Sequence, residues 1–166
     1  MLTDHADLNI EGLTIEQINV GDILPSLTIE VSATTIILGA LASRDWRPMH
    51  HDRDFAIQRN GTKDIFMNTP NQAAWLERFI TDWTGPTGRL GGYKFRMIDS
   101  VFPGDTVVFK GFVEAIDTDD VGCAWVKINA LLTVNDKTMT QFFARVAVPI
   151  DARDNPWRRG QDDWHP

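Results

Sequence analysis

Apolar and polar positions follow two different periods along this chain of 166 residues. In residues 69–84 apolar side chains recur at spacings of three and four, which indicates one face of a helix. From residue 89 onward apolar residues alternate with polar ones and are mostly β-branched or aromatic, which indicates strands. The pattern therefore predicts a long helix followed by a run of strands.

Three helices are predicted in the first half of the chain. Ser32 can cap a helix over residues 33–43, and Asp52 can cap a short helix over residues 52–59. The third helix is the most clearly marked, because Thr69 offers an N-cap hydroxyl, a proline follows it, and Gln72 is placed to close a capping box. Thr84-Gly85-Pro86 should end this helix.

Five strands are predicted, over residues 26–31, 93–98, 106–116, 123–134 and 138–148. The glycine-rich segment 88–92 reads as a flexible lead into the second of them. A long helix followed by antiparallel strands predicts an α+β fold in which the sheet wraps around the helix. We expect one domain at residues 18–150, a lead-in at 1–17 and a polar tail at 151–166 that is either mobile or docked on a neighbour. Uncovered sheet edges favour dimerisation.

Composition excludes several classes of function. The net charge of -7 argues against nucleic-acid binding, and no apolar run approaches the roughly 20 residues of a membrane span. The single cysteine, Cys123, excludes an internal disulfide and a cysteine-based zinc cluster. We expect a cytoplasmic protein.

The stretch ASRDWRPMHHDRDFA, residues 42–56, holds the candidate chemistry. Asp45 and His50 lie just past a predicted helix end, where an aspartate that orients a histidine can supply general acid and base. From the residues alone they could equally be a helix-end aspartate and a solvent-exposed histidine. His51 has no distinct partner, Asp52 has its role as a cap, and the spacing matches no metal-ligand pattern, so we expect no metal.

The predicted helix start at Thr69 offers a second element of a site. Free backbone amides and the positive end of the helix dipole could hold an oxyanion there. Simple capping explains the same residues. A site requires that Asp45 and His50 face this helix start.

The order of these features resembles the MaoC-type hotdog family, which includes enoyl-CoA hydratase 2. The family motif D-x-N-P-x-H is matched at Asp45, Pro48 and His50, with Arg47 in place of the asparagine. The segments VGDILP before the first strand and FPGDTV before a later one are also similar to the family. The resemblance implies a single hotdog fold, a long central helix wrapped by an antiparallel β-sheet.

Within this family the chain most resembles the small MaoC subunits of actinobacterial steroid side-chain enoyl-CoA hydratases. The likeness covers roughly residues 20–148 and is carried by RDWRPMHHDRDFAIQRNGTKDIFMN and ITDWTGP. It implies a heteromer with a larger MaoC-like subunit, or else a homodimer, and an acyl-CoA substrate with a bulky steroid acyl group. No cofactor is implied, since coenzyme A is part of the substrate.

The resemblance also implies roles for individual residues. Asp45 and His50 would transfer protons during hydration of the C2=C3 double bond. Ordinary hydratases have His-Gly before the long helix, where this chain has Met67-Asn68, so the backbone amide of Asn68 or Thr69 would stabilise the enolate-like oxygen. The candidates for binding coenzyme A phosphates are Arg47, Arg53, Lys63, Arg89 and Lys94. Two alternatives remain for the function: a non-catalytic partner subunit that shapes an acyl-CoA tunnel, or an acyl-CoA thioesterase.

Overall fold

The computed structural model describes residues 11–166 as three α-helices and five β-strands. In chain order these are β1 (Leu27–Glu30), α1 (Ala33–Ala42), α2 (Arg53–Gln58), α3 (Thr69–Thr84), β2 (Arg89–Met97), β3 (Thr106–Thr118), β4 (Ala124–Val134) and β5 (Lys137–Val148). All the predicted helices and strands are present. None of the helices among these residues is long and apolar enough to cross a membrane.

The five strands form one antiparallel sheet in the order β1-β3-β4-β5-β2. The long helix α3 packs on one face of this sheet, where Phe79 stacks on Phe109 with ring centroids 5.9 Å apart. Gly111 of β3 allows this close approach, because a Cβ at that position would lie 3.2 Å from Cε1 of Phe79. The hydrophobic core therefore lies between α3 and the sheet, as the α+β prediction required.

The cap of α3 differs from the prediction. Asn68, and not Thr69, is the N-cap, and its Oδ1 accepts a hydrogen bond from the backbone N–H of Asn71 at 3.1 Å. The predicted capping box does not form, since Gln72 is fully buried and accepts a hydrogen bond from the Thr140 hydroxyl at 2.7 Å. An asparagine directly before Thr-Pro is itself a strong cap, and it takes the role from the threonine.

Strand β2 begins four residues earlier than predicted, at Arg89, so all of the glycine-rich segment except Gly88 is part of the sheet. Gly91 lies against the indole of Trp125, where a Cβ would approach Cζ3 to 2.4 Å. The glycine here makes room for a neighbouring side chain.

The C-terminal segment docks on its own chain. Trp164 packs on Trp125 of β4 with ring centroids 4.9 Å apart, and the Arg145 guanidinium lies over the other ring of this pair, 3.8 Å from the centroid of Trp125. Arg89 donates hydrogen bonds to the carbonyl oxygens of Pro156 and Arg159 at 3.1 and 3.0 Å. The tail is thus held by the sheet that precedes it, which neither of the two predicted alternatives described.

Candidate active site

The end of α1 aims Asp45 toward the start of α3. The Asp45 N–H donates to the Ala40 carbonyl at 2.9 Å and the Arg44 N–H to the Leu41 carbonyl at 3.1 Å, which is the hydrogen-bond pattern of a Schellman motif. Arg44 has a φ of 53°, the left-handed conformation that this motif places just after the helix. The reversal of chain direction leaves the Asp45 side chain only 11% exposed.

His50 is fixed by the short turn that follows. Pro48 starts a single 3-10 turn over Pro48–His50, and the His50 ring is buried against Phe66 with centroids 4.8 Å apart. Its Nδ1 lies 2.8 Å from the carbonyl oxygen of Phe66. Because a carbonyl can only accept, Nδ1 carries a proton, and Nε2 is left to face Asp45.

Asp45 and His50 meet as a pair. The Nε2 of His50 lies 3.5 Å from Oδ2 of Asp45, a distance at which both groups can contact a common water or substrate atom. The side chain of Asn68 reaches the same oxygen, with its Nδ2 donating to Asp45 Oδ2 at 3.1 Å and to Ser43 Oγ at 2.9 Å. The loop after α1 and the start of α3 therefore converge on one carboxylate.

The surroundings of Asp45 favour its ionised form. Burial raises the pKa of this carboxyl. The hydrogen bonds from the Asn68 side chain and the Arg47 backbone N–H, together with the electrostatic effect of His50 and of the Arg47 guanidinium, hold the pKa below its ordinary value. The Nε of Arg47 lies 3.3 Å from Asp45 Oδ1. Asp45 is accordingly a carboxylate at neutral pH and can accept a proton from a bound molecule.

A cavity of about 940 Å³ opens beside this pair. Asp45 and His50 line it together with Asn68 and Thr69 from the start of α3, and Met97 of β2 closes one side. Neither the Asn68 nor the Thr69 backbone N–H donates a hydrogen bond to any part of the chain that the structure describes. Asp45 and His50 therefore line the same cavity as the residues at the start of α3.

The five cations proposed for coenzyme A fall into two groups. Arg47 lines the cavity, and Lys63 lies 4.4 Å above the ring of Phe102, whose own ring contacts the cavity residue Phe66. Arg53 lies at the start of α2, six residues after Arg47, and its Nε is 3.3 Å from Oδ1 of Asp64.

Arg89 and Lys94 are not brought to the cavity. Arg89 is held by the C-terminal segment, with its guanidinium 3.6 Å from the ring centroid of Trp164. Lys94 is three residues from Met97 on the same strand, so its side chain projects from the opposite face of the sheet. The sequence suggested both residues from charge alone, and their positions depend on contacts that are distant in sequence.

Two contacts of the site were not anticipated from the sequence: the side-chain amide of Asn68 on Asp45, and the Phe66 carbonyl on His50. An asparagine just before a helix start is a recognisable cap, and its free amide group needs a second partner. That partner could not be named from sequence, because Asn68 and Asp45 are 23 residues apart. Among residues 11–166 no cluster of three or more metal-ligating side chains occurs.

Known proteins are similar to this chain in sequence. Residues 20–129 match the MaoC like domain family. The chain is 37% identical over 117 residues to the 3-oxo-4,17-pregnadiene-20-carboxyl-CoA hydratase beta subunit of Mycobacterium tuberculosis, a match that covers 70% of this chain and 88% of that protein.

Solved structures share the fold. A chain of the ChsH1–ChsH2 complex from Mycobacterium tuberculosis superposes with a TM-score of 0.72 at 30% identity, covering 78% of this chain and 98% of that one. The (R)-hydratase from A. caviae involved in PHA biosynthesis gives a TM-score of 0.72 at 19% identity, covering 81% and 99%, and shows the fold alone. The hotdog fold expected from the sequence is confirmed.

Proposed function

The chain belongs to the MaoC-like domain family, and on that premise we propose that it is the catalytic subunit of a 2-enoyl-CoA hydratase. The reaction adds water across the C2=C3 double bond of an acyl-CoA thioester. The observation that carries the proposal is the meeting of the Asp45 carboxylate and His50 Nε2, 3.5 Å apart, in a cavity that also contains the start of α3.

Each chemical requirement of hydration has a group in this cavity. Water gives one proton to the Asp45/His50 pair as its oxygen bonds to C3. The electrons of the double bond move toward the thioester carbonyl. Asp45 and His50 then return one proton to C2, so that both residues end in their starting protonation states. The backbone amides of Asn68 and Thr69 stabilise the enolate-like oxygen, a contribution of about 3 kcal/mol for one well-placed donor.

A bulky substrate and a heteromeric assembly are supported by the relatives. The Mycobacterium tuberculosis protein at 37% identity is named a beta subunit of a hydratase of 3-oxo-4,17-pregnadiene-20-carboxyl-CoA, and the similar solved structure is a complex. We extend both features to this chain: a steroid side-chain or similarly bulky enoyl-CoA as substrate, and a larger MaoC-like chain as partner. For the coenzyme A phosphates we propose Arg47, which lines the cavity, with Lys63 and Arg53 as further candidates.

The test uses the chain co-expressed with a MaoC-like partner. Asp45→Asn and His50→Gln should each slow the loss of the conjugated thioester absorbance by about 100-fold or more, the usual contribution of general acid–base catalysis. Circular dichroism of each complex checks that it is folded. A product that gains the mass of water with its thioester intact supports hydration.

Three outcomes would contradict the proposal. Release of free thiol would indicate a thioesterase. Full activity of both variants would place the chemistry on the partner and leave this chain a non-catalytic subunit. Binding of acyl-CoA without either product would indicate a binding module.

A further inference from the structure

The two oxygens of the Asp45 carboxylate have different partners. Oδ1 faces Arg47, whose Nε lies 3.3 Å away and whose backbone N–H donates at 3.4 Å. Oδ2 accepts from Asn68 Nδ2 at 3.1 Å and faces His50 Nε2 at 3.5 Å. The carboxylate is therefore held at both ends, and its orientation decides whether Oδ2 points to the histidine.

Asn68 is itself rigidly placed. It is 1% exposed, its Oδ1 accepts from the Asn71 N–H, and its Nδ2 donates to Ser43 Oγ as well as to Asp45. A buried side chain with both ends bonded has little freedom to move. The position of Asp45 Oδ2 therefore depends on the position of Asn68 at the start of α3.

Arg47 acts on the other oxygen in a different way. Its side chain is 72% exposed, so solvent screens its charge and the ion pair is weak. The titratable groups that act on Asp45 are Arg47 and His50, both from the loop after α1, while the start of α3 contributes the uncharged Asn68. The buried amide should therefore have the larger effect on Asp45 and the exposed guanidinium the smaller.

We propose that Asn68 and Arg47 are positioning residues which hold the Asp45 carboxylate by opposite oxygens and direct Oδ2 at His50. This inference rests on the proposed function, in which Asp45 and His50 transfer protons. Arg47 and Asn68 also stand where the resemblance to ordinary hydratases fails, in place of the motif asparagine and of the glycine before the long helix. Both residues contact the same carboxylate, that of Asp45.

Asn68→Ser separates positioning from capping. Serine is an equally good N-cap but is too short to reach Asp45, so α3 keeps its cap while Asp45 loses a hydrogen bond. In the co-expressed complex we expect kcat to fall by about tenfold with KM little changed, since a hydrogen bond to a charged group is lost in the reacting state. The Asp45 carboxyl carbon, followed by ¹³C NMR, should titrate at a higher pH than in the parent.

Arg47→Gln should shift the same titration upward by less, and its effect should shrink at high salt. Arg53→Gln is the matched control for this measurement, because Arg53 is 69% exposed and pairs with a carboxylate at the same 3.3 Å distance, but with Asp64. Arg53→Gln should not shift the pH at which Asp45 titrates. The Asn68→Ser and Arg47→Gln double variant should lose less activity than the product of the two single losses, because both act on one group.

An unchanged Asp45 titration and unchanged kcat in Asn68→Ser would overturn the positioning role, as would an equal shift in Arg53→Gln. The titration is measured without substrate. It therefore decides the positioning role even if Asp45→Asn hydrates at the parent rate and the proposed function fails.

Discussion

At the scale of single residues, Asp119 stabilises the turn between β3 and β4 with three hydrogen bonds. Its Oδ1 accepts from the backbone N–H groups of Cys123 and Val121 at 2.7 and 3.2 Å, and its Oδ2 accepts from the Trp125 indole N–H at 2.8 Å. Burial raises the pKa of this carboxyl, but the Trp125 hydrogen bond and the two backbone hydrogen bonds outweigh burial and lower the pKa. The ionised form of Asp119 thus contributes to the stability of the fold.

The lowered pKa of Asp119 sets the direction of a pH effect. A carboxyl whose pKa is depressed by folding stabilises the protein above its unfolded-state pKa, and this stabilisation is lost as the pH falls through the lower folded-state value. We expect Asp119→Ala to cost about 2 kcal/mol in the free energy of unfolding at pH 7, measured by urea denaturation. The difference from the parent should narrow in acid.

Asp120 is the control for this prediction, since it is exposed in the same turn. Asp120→Ala should change stability by less than about 0.5 kcal/mol. A cost for Asp119→Ala that stays constant down to the lowest accessible pH would show that lost packing, and not the charge, is responsible.

At the same scale, the sequence identified candidate site residues that lie together but did not predict their contacts. Asp45, His50, Asn68 and Thr69 were all named, and the structure brings them to one cavity. The direction of each side chain depends on partners that no local pattern encodes, such as the Phe66 carbonyl that holds Nδ1 of His50. Arg89 was misplaced for the same reason, because its partners lie 67 and 70 residues away.

At the scale of elements, the end of α1 is unusual. The residue in the left-handed position of a Schellman motif is most often glycine, and here it is Arg44 with a φ of 53°. An L-residue with a side chain is strained in that conformation, and glycine is not. Arg44→Gly should therefore raise the free energy of unfolding, by up to about 1 kcal/mol.

Arg44→Val tests the same backbone strain with a substitution that should increase it. A β-branched residue tolerates positive φ less well than arginine, so this variant should be less stable than the parent. Thermal denaturation of both variants would check the order of stability Gly, Arg, Val. Equal stability of all three would mean that the backbone adopts another conformation in solution.

Strands and helices were predictable because each has a period and a boundary residue. The alternation over β3, β4 and β5 gave their positions within a few residues, and Ser32 and Asp52 were identified as caps that the structure confirms. The errors had two causes, which were a choice between two possible caps and a packing contact distant in sequence. Asn68 and Thr69 are both good caps, and the early start of β2 depends on packing of Gly91 against Trp125, which is 34 positions away.

At the scale of the whole molecule, the C-terminal segment completes one end of the sheet. Trp125 is fully buried because the tail covers it, and the rings and guanidinium groups of Arg145, Trp125, Trp164 and Arg89 form a continuous stack. Stacks of this kind gain both buried area and cation–π attraction. The tail therefore packs against β2, β4 and β5, through Arg89, Trp125 and Arg145 respectively.

Trp164→Ala should remove the central ring of this stack and expose Trp125. We expect a loss of about 2 kcal/mol in the free energy of unfolding, from lost apolar burial and from the two broken ring contacts. Hydrogen exchange should become faster in residues 151–166 and at the ends of β4 and β5 that meet them. Trp157→Ala is the control, because Trp157 is 59% exposed and lies 5.5 Å from Arg89, and it should cost less than about 1 kcal/mol. If both variants unfold alike and the exchange of β4 is unchanged, the tail rests on the sheet without stabilising it.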